Sequence, residues 1–319
     1  MDHLISRRAA LAAGLATGAG AFVPRVVHAQ NLPTLRVAYQ PYQYSAQVLY
    51  AQDQGFFAKA GINVELQQIA LGSALAAGVA SNATDIGIAT ISTLAVAHAR
   101  GIPFVCVAPA AAFDVRAKPV ALFLVGNQTS IYSAKDMNGK TVGTPGLATM
   151  GEYGVRAWVD ANGGDSSTLK FQELPFSQMP SAFQTGRIDA ASIGEPFLTD
   201  ARKYARILAN NTQAALGPAY VVTAWFAMGP WVQAHPDLVA RFSSAIRDAS
   251  AWGVKNPQKC IDIIARTFKQ DPGTMSPDTL ARFPDRLTPA LVEPQITVTA
   301  RYAKFPPFPA SDIIYSPKG

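Results

Sequence analysis

One order of elements, strand–helix–strand–helix–strand, occurs twice in this chain at nearly the same spacing. The first copy opens with TLRVAYQP, residues 34–41, whose alternation and Val and Tyr content read as a strand. A helical segment follows from Ala46 to Lys59, with Val48, Leu49, Ala51, Phe56 and Phe57 along one side and Gly61 at its end. Then come the strand INVELQQIA, the helix SALAAGVAS and the strand TDIGIA. The second copy runs through the strand GKTVGTP, a helix from about 151 to 161, the stop NGG, the strand LKFQEL, the helix MPSAFQTG and the strand IDAASIG. Val37 to Asp85 spans 48 positions and Val142 to Asp189 spans 47. That match predicts a duplicated βαβαβ unit, hence an α/β chain with a parallel sheet in each copy and right-handed crossovers.

The remaining segments join the copies. PVALFLVG, 119–126, reads as a strand leaving the first copy, and AYVVTAWFAM, 219–228, as a strand returning to it. Two connections between two lobes make a hinge. The expected boundaries are 30–122 plus 222–319 for lobe 1 and 123–221 for lobe 2. PFLTDARKYARIL is read as a helix opened by Pro196, with DARKYAR on its wet face. Beyond 228 the chain reads as helical: Leu238, Val239, Phe242, Ala245, Ile246 and Trp252 fall on one face, and further helices are expected through PQKCIDIIARTF and PALVEPQITVTARYAKF.

Residues 1–29 stand apart from that pattern. SRRAAL places Arg7 and Arg8 before a mild Ala/Gly-rich run, and VVHAQ offers small residues before a cut after Ala29. The pair resembles a twin-arginine export signal, with an ordinary secretory signal as the alternative. The apolar run, about 15 residues, is short for a membrane span. Removing the segment takes away three arginines and one aspartate from a chain of net charge +6. The charge that remains is spread along the sequence, which argues against a nucleic-acid partner. Two cysteines are few for a disulfide framework, and Cys106 in PFVCVAP reads as a packed strand residue.

Four phrases in this order, DQGFFAKAGINVEL, ASNATDIGIATIST, NGKTVGTPGLATMGEYG and GRIDAASIGEPF, resemble the type II periplasmic solute-binding proteins of ATP-driven importers. Within them the chain is similar to the group that binds nitrate, sulfonates, taurine and thiamine-pyrimidine precursors. The resemblance covers essentially the whole mature chain. It implies a two-lobe α/β protein with a two-strand hinge and a helical C-terminal segment, exported to the periplasm as a monomer. It further implies a small nitrogen- or sulfur-containing organic solute as ligand, an inner-membrane permease as partner, and no cofactor or metal. In GLATMG the sequence departs from the group's Gly-Ser-Thr turn. Ala148 stands for the serine and Thr149 is kept, which speaks against a simple oxyanion clamp.

Open parallel sheets bind ligands beyond the carboxyl ends of their strands. The residues expected there are Tyr42 and Tyr44 as aromatic platforms, Ser73, Thr90, Ser92 and Thr149 at helix N-termini, and Glu195 after the third strand of the second copy. Trp225, on the returning strand, is expected either to line the cleft or to pack in the core. Asp85 and Asp189 are read as holding equivalent turns, and His98 as structural. Arg116 and Lys118 are the only cationic candidates near the crossover. Without a cationic clamp the ligand is expected to be flat or nitrogen-bearing.

Enzyme signatures are missing from the mature sequence: there is no G-x-S-x-G, no H-E-x-x-H and no Gly-rich dinucleotide loop. Only His98 and His235 remain for a histidine-based site. The expectation is therefore a binding protein, not an enzyme. The alternatives are a desulfinase-like or pyrimidine-synthase-like enzyme on the same fold, or a ligand-loaded subunit of a membrane sensor.

Overall fold

In a computed structural model, residues 32–210 and 217–316 are described; the expected export signal and its cut site lie outside them. The first copy forms β1 (Thr34–Tyr39), α1 (Ala46–Asp53), α2 (Phe56–Lys59), β2 (Asn63–Gln68), α3 (Gly72–Ala80), β3 (Gly87–Thr90) and α4 (Ile91–Ala99). The helix expected over 46–59 is broken because Gly55 takes a left-handed conformation, which only glycine adopts without strain. After β4 (Phe104–Pro109), β5 (Ala112–Asp114) and β6 (Ala121–Gly126) comes the second copy. It contains β7 (Thr141–Thr144), α5 (Met150–Ala161), β8 (Lys170–Glu173), α6 (Met179–Gln184), β9 (Ala190–Gly194) and α7 (Phe197–Ala201). The chain continues through β10 (Ala205–Ala209), β11 (Ala219–Val221) and β12 (Thr223–Met228). It ends with α8 (Gly229–Ala234), α9 (Pro236–Lys255), α10 (Pro257–Phe268) and α11 (Pro289–Ala303).

The two sheets have one topology. In the first, β2 pairs with β1, and a bridge between Val37 and Ile86 joins β1 to the start of β3. β3 then pairs with β12 and β12 with β4, both antiparallel. The second runs β8-β7-β9-β6-β10, with β6 antiparallel to both its neighbours. The sheets are therefore mixed, not purely parallel as the alternation suggested. The reason is geometric: β6 and β12 each enter a sheet from the side where the parallel strands end, so each must run the opposite way. The duplication reaches single atoms. Asp85 accepts from Arg36 N at 2.8 Å, and Asp189 accepts from Thr141 N at 2.8 Å, one residue before Val37 and Val142 respectively.

The segment expected as one helix from Pro196 to Leu208 is instead α7 followed by the edge strand β10. Tertiary contacts override the helical reading here. The Arg206 guanidinium donates to the carbonyls of Gly126 and Ile131 and lies 4.6 Å from the Tyr132 ring centroid, which ties β10 to β6 and to the chain beyond it.

Each sheet has its own apolar packing. Val37, Ile88, Trp225 and Phe226 belong to the large core that α1, α9 and α10 cover, and α9 contributes Val239, Phe242, Ile246 and Ala249 at helical spacing. Two smaller clusters flank the second sheet, around Phe183 and Ile193 on one side and Phe123 and Val159 on the other. Between the sheets, β5 pairs with β11 as a short antiparallel ribbon, and β11 lies within the 219–228 segment expected to return to the first copy. Strands 121–126 and 223–228 are full members of their sheets, held by ladders on both edges. Helix α11 packs on α4, on β11 and on α5, and Tyr302 Oη donates to Asp160 Oδ2 at 2.9 Å.

Candidate functional site

The carboxyl ends of the parallel strands of the two sheets face each other across a cavity of about 640 Å³ of atom-free space, part of it open to solvent. Gln40, Tyr42 and Tyr44 follow β1, Gly72 opens α3, and Thr90 and Thr93 open α4. From the other side come Pro145, Thr149, Met150 and Gly151 at the start of α5, Phe176 after β8 and Ser192 in β9.

The aromatic wall is built by contacts between the copies. Tyr42 meets Tyr44 and Phe176 edge-on, with ring centroids 5.4 Å apart in each case. Tyr42 Oη donates to Gln40 Oε1 at 3.3 Å. Burial pushes both phenols well above the ordinary tyrosine range, so both are neutral hydrogen-bonding groups at physiological pH. The polar wall consists of amide and hydroxyl groups at helix starts. Thr90 caps α4 by accepting from Thr93 N at 3.1 Å, and Thr149 Oγ1 donates to Gly146 O at 2.8 Å. A side chain at Gly151 would bring its Cβ within 2.8 Å of Thr144 Oγ1, so glycine is what lets the first turn of α5 approach the strand. Among the described residues, no charged side chain, cysteine or histidine lines the cavity.

Of the residues expected from sequence, Tyr42, Tyr44, Thr90 and Thr149 line this cavity. Ser73 sits at its rim, where its Oγ donates to Glu173 Oε1 at 2.8 Å. Ser92 does not reach it. Ser92 is fully buried against α11, donating to Gln295 Oε1 at 3.0 Å and accepting from Thr299 Oγ1 at 2.8 Å. Two residues past the cap, a helical side chain points to nearly the opposite side, whereas Thr93, three past it, faces the same way as Thr90.

Trp225 is a core residue whose Nε1 donates to Gln47 Oε1 at 2.9 Å. Glu195 turns away from the cavity lining. Its carboxylate accepts from Thr199 N and Oγ1 at 3.2 to 3.4 Å and thus holds the first turn of α7. Burial raises its pKa, and the Thr199 hydrogen bonds oppose that rise. Arg116 pairs with Asp114 and Lys118 with Asp278, so neither cation is at the site.

Sequence reasoning missed Gln40, Thr93, Phe176 and Ser192. Gln40 and Phe176 follow strand ends, as Tyr42 does, and that position was the available signal. Cys106 and Cys260 are buried free thiols, which burial pushes up to about 12 and about 11. His98 lies tilted against Phe308, and His235 stacks on Trp231.

The sequence profile of the NMT1/THI5-like family matches residues 42–260. No curated protein sequence matches the chain. Among solved structures, the alkanesulfonate-binding protein of Xanthomonas axonopodis pv. citri bound to MOPS aligns with a TM-score of 0.73 at 16% identity, covering 88% of this chain and 98% of that one. The periplasmic nitrate-binding protein of Synechocystis PCC 6803 aligns with a TM-score of 0.71 at 14% identity, over 86% and 83%. The periplasmic aliphatic sulphonate binding protein of Escherichia coli aligns with a TM-score of 0.67 at 17% identity, over 85% and 92%. At these identities the likeness shows a shared periplasmic-binding fold.

Proposed function

The chain belongs to the NMT1/THI5-like family, and from that premise we propose that it is the solute-binding component of an ATP-driven importer. It takes up one small organic molecule between its two lobes, 30–122 plus 222–319 and 123–221, and delivers it to a membrane permease. The observation that carries the reading is the cavity where strand ends of both sheets meet, walled by side chains from both copies. Its neighbours in fold are described as periplasmic proteins that bind alkanesulfonates or nitrate.

The lining argues for a different kind of solute here. Among the described residues the lining has three aromatic rings, one amide and several hydroxyls and no cationic side chain, which suits a flat, largely uncharged molecule with hydrogen-bonding edges. A bare oxyanion would be desolvated there with only helix N-termini and hydroxyls as compensation. The proposal keeps Tyr42, Tyr44, Thr90 and Thr149 as ligand contacts and adds Gln40, Thr93, Phe176 and Ser192.

The test is to purify the chain from its native host, release bound small molecules by denaturation and identify them by mass spectrometry. The released compound, returned to stripped protein, is expected to bind with one-to-one stoichiometry and to reduce the radius of gyration in solution scattering, because a ligand touching both lobes favours the closed state. Recovery of no compound, or binding with an unchanged radius, overturns capture between closing lobes.

A further inference from the structure

Helix α3 begins at the edge of the cavity and does not cap itself. Its N-cap position is Leu71, whose side chain has no acceptor, and its first turn holds no acidic residue. By contrast α4, equally close, is capped by its own Thr90. The first N–H groups of a helix have no partner within the helix, and near a cavity they must find one elsewhere. In α3 two of them find it on the other copy. Gly72 N donates to Pro145 O at 3.2 Å, and Ser73 N to Glu173 Oε1 at 3.4 Å, while Ser73 Oγ reaches the same oxygen at 2.8 Å. Glu173 is the last residue of β8, in the second sheet. The hydrogen bonds its carboxylate accepts come from Ser73 alone among the described residues.

We propose that Glu173 is a positioning residue for solute capture: by capping α3 across the cleft, its carboxylate favours the closed arrangement of the two copies. The inference rests on the two-lobe reading above. A carboxylate at a helix N-terminus is favourable both as hydrogen-bond acceptor and through the helix dipole. Here that gain exists only when the copies meet, because separating them returns the N–H groups and the carboxylate to water. A helix with its own cap would gain nothing from closure. The leucine at position 71 is what makes the device work. Glu173 is absent from the cavity lining, so it acts through Ser73 and not on the solute.

The experiment needs no solute. Lys59 and Gln184 are exposed residues, one in each copy, and Lys59→Cys with Gln184→Cys accepts a pair of spin labels. The native thiols are buried and resist labelling. In the chain with Glu173 intact, the inter-label distance distribution is expected to contain a short, closed population. Glu173→Ala should lower the closed-to-open ratio about fivefold, the equivalent of ~1 kcal/mol for a lost cap. It should also speed amide exchange at Gly72 and Ser73. Glu173→Gln keeps an acceptor and should retain part of the closed population. Ser73→Ala added to Glu173→Ala should change little more, because both remove one contact.

Identical distance distributions and exchange rates with and without the Glu173 carboxylate overturn the proposal, as does the lack of any short-distance population in the parent chain. Since no solute is present, a chain that fails to bind small molecules would still show the population shift. A missing shift would likewise leave solute capture standing.

Discussion

At the scale of single residues, position relative to a strand end decided more than residue type. Tyr42, Tyr44, Thr90 and Thr149 were legible because each stands just beyond a strand, where an open sheet exposes its ligand-binding edge. Glu195 stands in the equivalent place, yet its carboxylate folds back onto Thr199. Its burial has a consequence for stability. The carboxyl is held above its ordinary value of 4.5, burial being the larger influence and the Thr199 hydrogen bonds opposing it.

The folded chain therefore holds that proton more tightly than the unfolded chain does. Stability from this group is complete below the ordinary value and is lost as pH rises through the raised one. Glu195→Gln keeps an acceptor for Thr199 and cannot ionise, so it should remove that loss. Melting curves taken between about pH 4 and 7 should show the gap between variant and parent widening in the variant's favour as pH rises. Parallel curves would contradict the assignment. Solute affinity should be unchanged, because the carboxylate does not face the cavity.

At the scale of elements, the helices of the duplicated units and of the C-terminal segment were largely legible from periodicity, but their neighbours were not. Helix α11 shows the difference. A helix was expected through PALVEPQITVTARYAKF, whereas its place across α4, β11 and α5 is a matter of tertiary packing. The junction is polar and buried: Gln295 Nε2 donates to the carbonyls of Val221 and Val222, and Gln295 Oε1 accepts from Ser92 Oγ, which accepts from Thr299. Ser92→Ala leaves the Thr299 hydroxyl without its acceptor in a dry site, which should cost ~1–3 kcal/mol. Denaturant titration should find this as a lower midpoint with an unchanged slope. Calorimetric titration with the recovered solute should find affinity intact. A loss of affinity at full stability would move Ser92 back to the ligand.

The edge strand β10 is the converse case. Its residues read as the wet face of a helix because Asp200, Arg202, Lys203 and Arg206 fall close together. The contacts of Arg206 with the carbonyls of Gly126 in β6 and of Ile131 beyond it draw the segment into an extended edge instead.

At the scale of the whole molecule, two copies of one topology meet through strand ends, a short ribbon of β5 and β11, and α11 behind them. No helix among the described residues is long and apolar enough to cross a membrane. We propose that residues 1–29 carry the chain across the inner membrane by the twin-arginine route, with cleavage after Ala29. Changing both Arg7 and Arg8 to Lys should leave uncut precursor in the cytoplasm. Fractionation followed by N-terminal sequencing reads the outcome, and normal accumulation of cut protein outside the inner membrane would rule the route out.

The repeated spacing around Val37–Asp85 and Val142–Asp189 was enough, by itself, to determine a duplicated α/β chain and the strand ends that line the cavity. Local patterns carry that much because strand alternation, helical periodicity and turn chemistry are properties of neighbours in sequence. Which way β6 and β12 run, which side of α4 faces the cavity, and where the carboxylate of Glu173 points were decided only by tertiary structure. Each depends on a partner far away along the chain: Ser73 lies 100 positions from Glu173, and Ser92 lies 203 from Gln295. No local pattern encodes such a pairing, since the energy that selects it appears only when distant segments are folded and in contact.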